Sequence, residues 1–585
     1  MTAGSDSLPV ASRELSSREW RQFWLLLLFA LIVLGAGIGL RDPWPADEPR
    51  FALVAKQMVE SGDWLFPHRG STLYPDKPPL FMALQALSFE ITRNWRIAFL
   101  LPSLLAALGT LTLVYDLARR LWDHRTGLVA AGTLLATVQF LDQSKSAQID
   151  PCVMFFVALA NYGLLRHFLL GPNWRAYWLG CFAAGLGVIT KGVGVLALLM
   201  FVPYLFARWR GWRDVSPIAR GGWRWAGGGL AFVGAIALWA VPMLVAVAAS
   251  EDPAYHAYAR DILFHQTADR YADSWAHQQP FWYFLEVALV NWLPLSLTYP
   301  GTFPRWWKRL RARDARFLLP LAWVVMVFAF FSFPAGKRDV YVLIALPWVA
   351  LVTAPMIGEL LATRWFTRAA FALIVLVGAG ILAAGLWALT SHPPIAQDLV
   401  ERRGLPGSGE ALWWLLIAIG GVMLGCAALL RPRRGVPALL AGIFATTMLW
   451  SLVAYPMLND SSSSAGLMRR TGAIIGPDAE LGLVAWREQN LLMADRAAVD
   501  FGFSRPWPEQ LGAAILWQEA VPERRWVFIL ADAMGPCIDK ARAIDVGHAN
   551  RREWWLFRAD AVVAGCRDGQ VPVEAAERGD DANVP

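Results

Sequence analysis

Residues able to handle acids, bases and anions recur at the ends of apolar runs in this chain. Asp47 and Glu48 stand side by side, with Arg50 two positions on, and a compact Tyr74-Pro75-Asp76-Lys77-Pro78-Pro79 cluster follows. Farther along come Asp142, Lys145, Gln148 and Asp150, then Lys191, then His265, Arg270, His277 and Gln278. The turn Gly336-Lys337-Arg338-Asp339-Val340-Tyr341 completes the set. Ionisable groups near membrane depth are costly, so each is a functional candidate. Together they suit glycosyl transfer from a lipid-linked sugar phosphate. The departing phosphate gathers negative charge, which Lys77, Lys337 and Arg338 would neutralise with Arg50 in support. A carboxylate must orient or deprotonate the acceptor, a role for Asp47, with Asp150 as a sugar or acceptor contact. Glu48, Tyr74, Arg270 and Tyr341 complete the expected substrate contacts. A single displacement needs no covalent intermediate and inverts the anomeric centre.

The elements that must position these groups are membrane-spanning. The chain has 585 residues, 56% hydrophobic and only 17% charged, with mean hydropathy +0.40. A soluble protein is nearer ~25% charged. The net charge of +7 does not point to nucleic acid, because the arginines cluster between apolar runs, as in loops facing anionic lipid. Candidate spans are 24–40, 95–118, 126–141, 151–170, 176–189, 192–207, 225–249, 281–300, 317–334, 338–356, 367–390, 411–430 and 436–455, thirteen in all. With residues 1–21 cytoplasmic, every strong basic cluster falls on the cytoplasmic side, as the positive-inside rule requires. That parity requires 176–207 to break at Thr190-Lys191-Gly192. The transmembrane domain then covers 22–456, with periplasmic loops at 41–94 and 250–280. Residues 51–61 carry helical apolar spacing, too short and charged to span, and read as a helix lying on the membrane surface.

The tail, 457–585, falls on the same side as the acidic loop and reads as a small α/β domain. Its β-like runs are 481–486, 525–530 and 553–557, with a helical run at 508–520. Cys152, Cys181 and Cys426 sit in apolar runs as packing residues. Cys537 and Cys566 would pair if the tail meets an oxidising compartment. Structural roles compete for several candidates. Asp47 and Glu48 suit the cap of a helix starting near Pro49. Lys77, Lys337 and Arg338 suit snorkelling to headgroups. Asp150 suits the first turn of a span beside Pro151. The histidines suit interfacial hydrogen bonding.

Beyond the individual residues, their pattern resembles the GT-C glycosyltransferases. The motifs are Asp47-Glu48 with Arg50, Tyr74-x-Asp76-Lys77-Pro78, Asp150, Thr190-Lys191-Gly192, His277-x-x-Pro280-Phe281-Trp282, and Phe331-Ser332 followed by Lys337-Arg338-x-x-Tyr341. Within that superfamily the chain looks most like bacterial lipid A aminoarabinose transferases and their protein O-mannosyltransferase relatives. The resemblance implies an inner-membrane enzyme with a periplasmic cavity and an undecaprenyl-phosphate sugar donor. The sugar would be 4-amino-4-deoxy-L-arabinose or a related pentose or hexose, and the acceptor lipid A or another envelope glycolipid. It implies Asp47 as the catalytic carboxylate and Lys77 as a holder of the donor phosphate. It further implies a divalent metal (zinc, magnesium or manganese) between an acid and a histidine, here Asp76 and His277, although Asp76 replaces the more usual Glu. Alternatives are a protein O-mannosyltransferase-like enzyme and a lipid or sugar transporter. Against a transporter, no internal repeat is visible, and the polar residues gather at one face, not at the midplane.

Overall fold

A computed structural model describes residues 14–264, 278–405 and 407–571. The chain is mostly helical up to residue 475 and mixed α/β after it. Eight helices of the described residues are long and apolar enough to cross a membrane. They are Trp95–Leu121, Ile149–Leu169, Gly222–Ala249, Ala315–Ser332, Asp339–Leu361, Arg364–Ser391, Glu410–Leu430 and Pro432–Ser462. The most apolar stretch of Asp339–Leu361 is 83% buried within protein, and that of Gly222–Ala249 only 17%. The first is a central helix; the second presents an apolar flank suited to lipid.

Several expected spans are interrupted instead of continuous. The run 126–141 breaks at Thr137 into His124–Ala136 and Val138–Ser144, and the run 281–300 breaks between Val290 and Leu295. The two breaks satisfy one another. Val138 N donates to Leu293 O at 2.8 Å, Gln139 N to Asn291 O at 3.0 Å, and Trp292 Nε1 to Gln139 Oε1 at 2.7 Å. Non-helical backbone is tolerated at such depth only where protein supplies partners. The 176–207 run breaks as its Thr-Lys-Gly triplet suggests. The helix Trp174–Lys191 stops at Gly192, whose φ of 74° suits glycine, and tighter turns over Val193–Met200 follow.

The helix expected on the membrane surface is real but lies elsewhere. It runs Glu48–Ser61 with Pro49 in its first turn. Phe51, Ala52, Leu53, Val54, Ala55 and Met58 are all buried, which is more than one face. Phe51, Val54, Ala55 and Met58 join the core of the helical bundle, whereas Leu53 joins the core of the tail. The helix is therefore clasped between two protein layers, because it is apolar on opposite flanks.

The tail holds a five-stranded sheet in the order β4-β3-β5-β7-β6. Its strands are β3 Glu480–Val484, β4 Ala498–Asp500, β5 Arg525–Leu530, β6 Ile544–Ala549 and β7 Arg552–Phe557; a two-stranded ribbon, β1 His68–Arg69 and β2 Thr72–Leu73, belongs to the first loop. Strands β4, β3 and β5 are parallel, with the helix Trp507–Glu519 as crossover, while β7 and β6 add antiparallel. Cys537 and Cys566 are disulfide-bonded. The tail and first loop are tied directly: Ser71 N and Oγ donate to Asp500 at 2.9 and 2.8 Å, and Asp42 and Asn459 exchange two bonds of 2.7 Å.

One close approach bears on the site. The helices Ile149–Leu169 and Trp174–Lys191 pack so tightly that a Cβ on Gly163 would lie 2.2 Å from Ala176 O. This contact locks the two helices together near the turn that joins them, at the opposite ends from Asp150 and Lys191. Gly163→Leu is therefore expected to cost about 1–3 kcal/mol by overpacking. It should also lower the thermal midpoint in detergent and reduce activity more than Gly132→Leu, where a Cβ meets nothing within 4 Å.

Candidate active site

Asp47 begins the clasped helix, yet its carboxylate does not cap it. The side chain is 10% exposed. Its Oδ2 accepts from Arg338 Nη2 at 2.9 Å, and its Oδ1 lies 3.5 Å from Arg50 Nη1. Burial pushes the carboxyl pKa up, but the Arg338 and Arg50 charges outweigh it and hold the group below its usual value. Asp47 is thus an ionised buried carboxylate drawn away from the helix it begins. Among the described residues Arg338 gives this one side-chain hydrogen bond of its five N–H groups, and it stays 40% exposed, so donors remain for an anion.

Glu48 is partnered differently. Both its oxygens accept from Arg41, one through Nη1 and one through Nη2 at 2.7 Å. It also accepts from Trp44 N and Ala147 N, each at 2.8 Å. Arg41 reaches on to Lys145 O at 3.0 Å, and Lys145 Nζ donates to the carbonyls of Val33, Leu34 and Ala36 at 3.0, 3.0 and 2.7 Å. Expected at the substrate, Glu48 is instead consumed by holding the loop, the end of the first helix and the 145–147 turn together.

The remaining candidates divide. Asp150 and Lys191 form an ion pair of 2.5 Å at adjoining helix ends, and Lys191 Nζ lies 5.1 Å from the centre of the Tyr341 ring. The Asp150 and Lys191 charges act on Arg338 and Asp47 respectively, so these four and Tyr341 share one locale. Lys337 departs from expectation. It is buried and donates to Gln279 O at 2.9 Å, pinning the 333–338 turn to the segment before the next helix. Tyr74 is wholly buried, which raises its pKa, and Asp76 lies 3.8 Å from Arg69 Nη1. Lys77 is half-buried in the turn leading to the helix Leu80–Thr92. Arg270 and His277 lie outside the described residues.

Metal binding finds little support in this donor set. Asp76 faces a guanidinium, which a metal ion would repel, and no group of three His, Cys, Asp or Glu gathers among the described residues.

At the far ends of the bundle's helices the basic residues gather separately. Arg119 and Arg120 grip Asp116, which also accepts from Tyr162, and Arg316 donates to Leu121 O at 3.3 Å. The cluster around Asp47 therefore sits at one end of the bundle and much of the arginine-rich loop chemistry at the other.

A sequence profile of the dolichyl-phosphate-mannose-protein mannosyltransferase family matches residues 76–240. An undecaprenyl phosphate-alpha-4-amino-4-deoxy-L-arabinose arabinosyl transferase 2 of Sodalis glossinidius is 31% identical over 417 residues, covering 68% of this chain and 71% of that protein. The corresponding transferase of Pseudomonas paraeruginosa is 30% identical over 516 residues, covering 83% and 88%. The chain belongs to this arabinosyl transferase family. The crystal structure of Cupriavidus metallidurans ArnT bound to undecaprenyl phosphate has the same fold, with TM-score 0.72 at 20% identity over 92% of this chain and 98% of that one. The protein is thus a multi-pass membrane glycosyltransferase of the GT-C type.

Within this arabinosyl transferase relative, sequence reasoning missed Glu488, Arg41 and Arg69. Glu488 lies in the tail just beyond β3 and accepts from Arg50 Nε at 2.9 Å, with Arg69 Nη1 at 3.6 Å. No local pattern marks it; only docking of the tail reveals it. Arg41 was legible as a charge at the end of an apolar run, but not as the partner of Glu48. If Arg338 holds Asp47 ionised, Arg338→Gln raises the carboxylate's pKa. The sign follows from the lowered native value: ionisation, and the stability it confers, persists at higher pH and is lost as pH falls through that value. The acid limb of kcat/KM against pH should therefore move to higher pH in the variant.

Proposed function

We propose that this enzyme transfers 4-amino-4-deoxy-L-arabinose, or a related sugar, from undecaprenyl phosphate to lipid A or another envelope glycolipid. The observation that carries the reading is an ionised Asp47 held between Arg338 and Arg50 beside the Asp150–Lys191 pair. The names of the relatives supply the donor and sugar. In this mechanism an acceptor oxygen attacks the anomeric carbon opposite the phosphate. The bond between that carbon and the phosphate oxygen breaks, and its electron pair leaves with undecaprenyl phosphate. Arg338 and Lys77 meet the growing phosphate charge, and the configuration inverts. Lys337 supports Arg338 by fixing the turn. Asp150, Lys191 and Tyr341 line the sugar.

Asp47 has two possible tasks, set by the acceptor. A hydroxyl acceptor must lose its proton, which Asp47 takes. A phosphate acceptor is already anionic at neutral pH, and Asp47 then orients it or binds the sugar's ammonium. In this reading the chain crosses the inner membrane thirteen times, with its N-terminus cytoplasmic and both the site and the tail periplasmic. The separation of the Asp47 cluster from the basic loops supports that orientation. A protein acceptor is the second reading, favoured by the mannosyltransferase profile over residues 76–240.

Acceptor labelling separates the two: radiolabelled sugar should enter the lipid A fraction, and label in protein would refute the glycolipid reading. Asp47→Asn is expected to lower kcat by roughly 10²–10⁴-fold. A defect relieved at alkaline pH indicates base catalysis on a hydroxyl; a defect flat with pH indicates positioning of a phosphate.

A further inference from the structure

At the seam between the first loop and the tail the acids are unevenly shared: Arg50 and Arg69 face Asp47, Asp76 and Glu488, whereas Arg487 and Arg552 have no acid in ion-pair range among the described residues. Glu488 already serves Arg50 and Arg69. Two further guanidiniums lie at this end of the sheet: Arg487 precedes Glu488 just past β3, and Arg552 opens β7, whose start lies at the sheet end where β3 and β5 finish. Both are half-buried. Among the described residues neither side chain forms an ion pair or donates a hydrogen bond, and Asp532 only partly offsets Arg552. Burial, then the Arg552 charge, push the Arg487 pKa down to about 10 in spite of Glu488, with Arg50 and Arg69 adding to the repulsion.

Buried donors without acceptors accumulate in the same place. Tyr74 Oη is wholly enclosed and unpartnered, as are Arg69 Nε and Trp486 Nε1. The Arg69 guanidinium lies 5.2 Å from the Tyr74 ring centre, and Trp486 is in contact range of Gly70. Half-buried guanidiniums that repel each other destabilise a fold unless an anion joins them. Stability alone would favour an acid or an apolar residue at 487.

We propose that Arg487 and Arg552, beside Arg69, form an anion subsite at this seam for a phosphate of the glycolipid acceptor. The proposal rests on the glycosyl-transfer reading above. Guanidinium forks match phosphate oxygens in pairs. Arg50 links the seam to the reaction centre, since it lies 2.9 Å from Glu488 and 3.5 Å from Asp47. An acceptor phosphate held here is therefore one side chain from the carboxylate that orients the attack. Arg338, on the opposite side of Asp47, is left for the donor.

The test is ligand-dependent thermal stability of the full-length enzyme in detergent. The probes are bisphosphorylated lipid A, the same lipid dephosphorylated, undecaprenyl phosphate and inorganic phosphate. Wild type should bind the bisphosphorylated lipid at least about tenfold more tightly than the dephosphorylated one. The double variant Arg487→Gln/Arg552→Gln should lose that preference, keep undecaprenyl phosphate binding, and melt higher than wild type without ligand because the repulsion is gone. Arg487→Lys, which keeps the charge but not the fork, should weaken the lipid intermediately and guards against a double variant that does not fold. Unchanged preference in these variants overturns the subsite. So does loss of undecaprenyl phosphate binding in its place, or inorganic phosphate protecting wild type as well as the lipid does. Phosphate-selective binding through these arginines with no sugar transfer by wild type would instead overturn the transferase reading and leave the subsite standing.

Discussion

Two adjacent carboxylates are buried at the start of one helix, and their charges are compensated in opposite directions. Glu48 is closed off by Arg41, Trp44 N and Ala147 N. Asp47 reaches Arg338 and Arg50. Buried like charges side by side would repel strongly unless each had its own cation. The Glu48 pair uses up its lone pairs in fixing backbone, so the neighbouring Asp47 inherits a rigid position. The Asp47 partners come from a distant turn and the next helical turn, and among the described residues Arg338 keeps free donors. One carboxylate is closed off by structure, while the other, held ionised, stays beside a guanidinium that is partly exposed.

The same logic extends outward. The Glu48–Arg41–Lys145 network ties the end of the first helix to the 145–147 turn, and the following helix begins with Asp150. The next helix packs closely on it at Gly163, near the turn joining them, and at the other end its Lys191 pairs with Asp150. Two mutually satisfied helix breaks, at 137–139 and 291–293, lie between the bundle and Asp339, whose carbonyl and carboxylate accept from Gln139 and Asn291. Helix ends and breaks thus collect at one end of the bundle, where backbone groups and charges can be offered to a polar headgroup without facing lipid.

The tail completes this end of the molecule. The clasped helix Glu48–Ser61 contributes Leu53 to the core of the tail and Phe51 to the core of the bundle, so the two layers share an element. The parallel half of the sheet turns the loop after β3 toward the seam, bringing Glu488 to Arg50. At the seam Arg487 and Arg552 stay without an acid partner among the described residues, a local cost to stability.

Hydrophobicity, charge bias and short motifs determined much by themselves. Long apolar runs can only be stable in lipid, which made the membrane class legible. Asp47, Asp150 and Arg338 stood out because charges beside such runs are expensive. The break at Lys191-Gly192 was readable from the parity of basic loops and the glycine. Tertiary structure decided the rest. Glu48 and Lys337 have the same residue types and local settings as working groups, yet partners distant in sequence turn both to structural use. Glu488 carries no local mark and matters only because the tail docks. The helix at 48–61 had the period of a surface helix, but period reports one apolar face and cannot reveal that its other flank meets a second core. Local patterns fix what a segment must hide from water; only the folded chain decides which group it is hidden against.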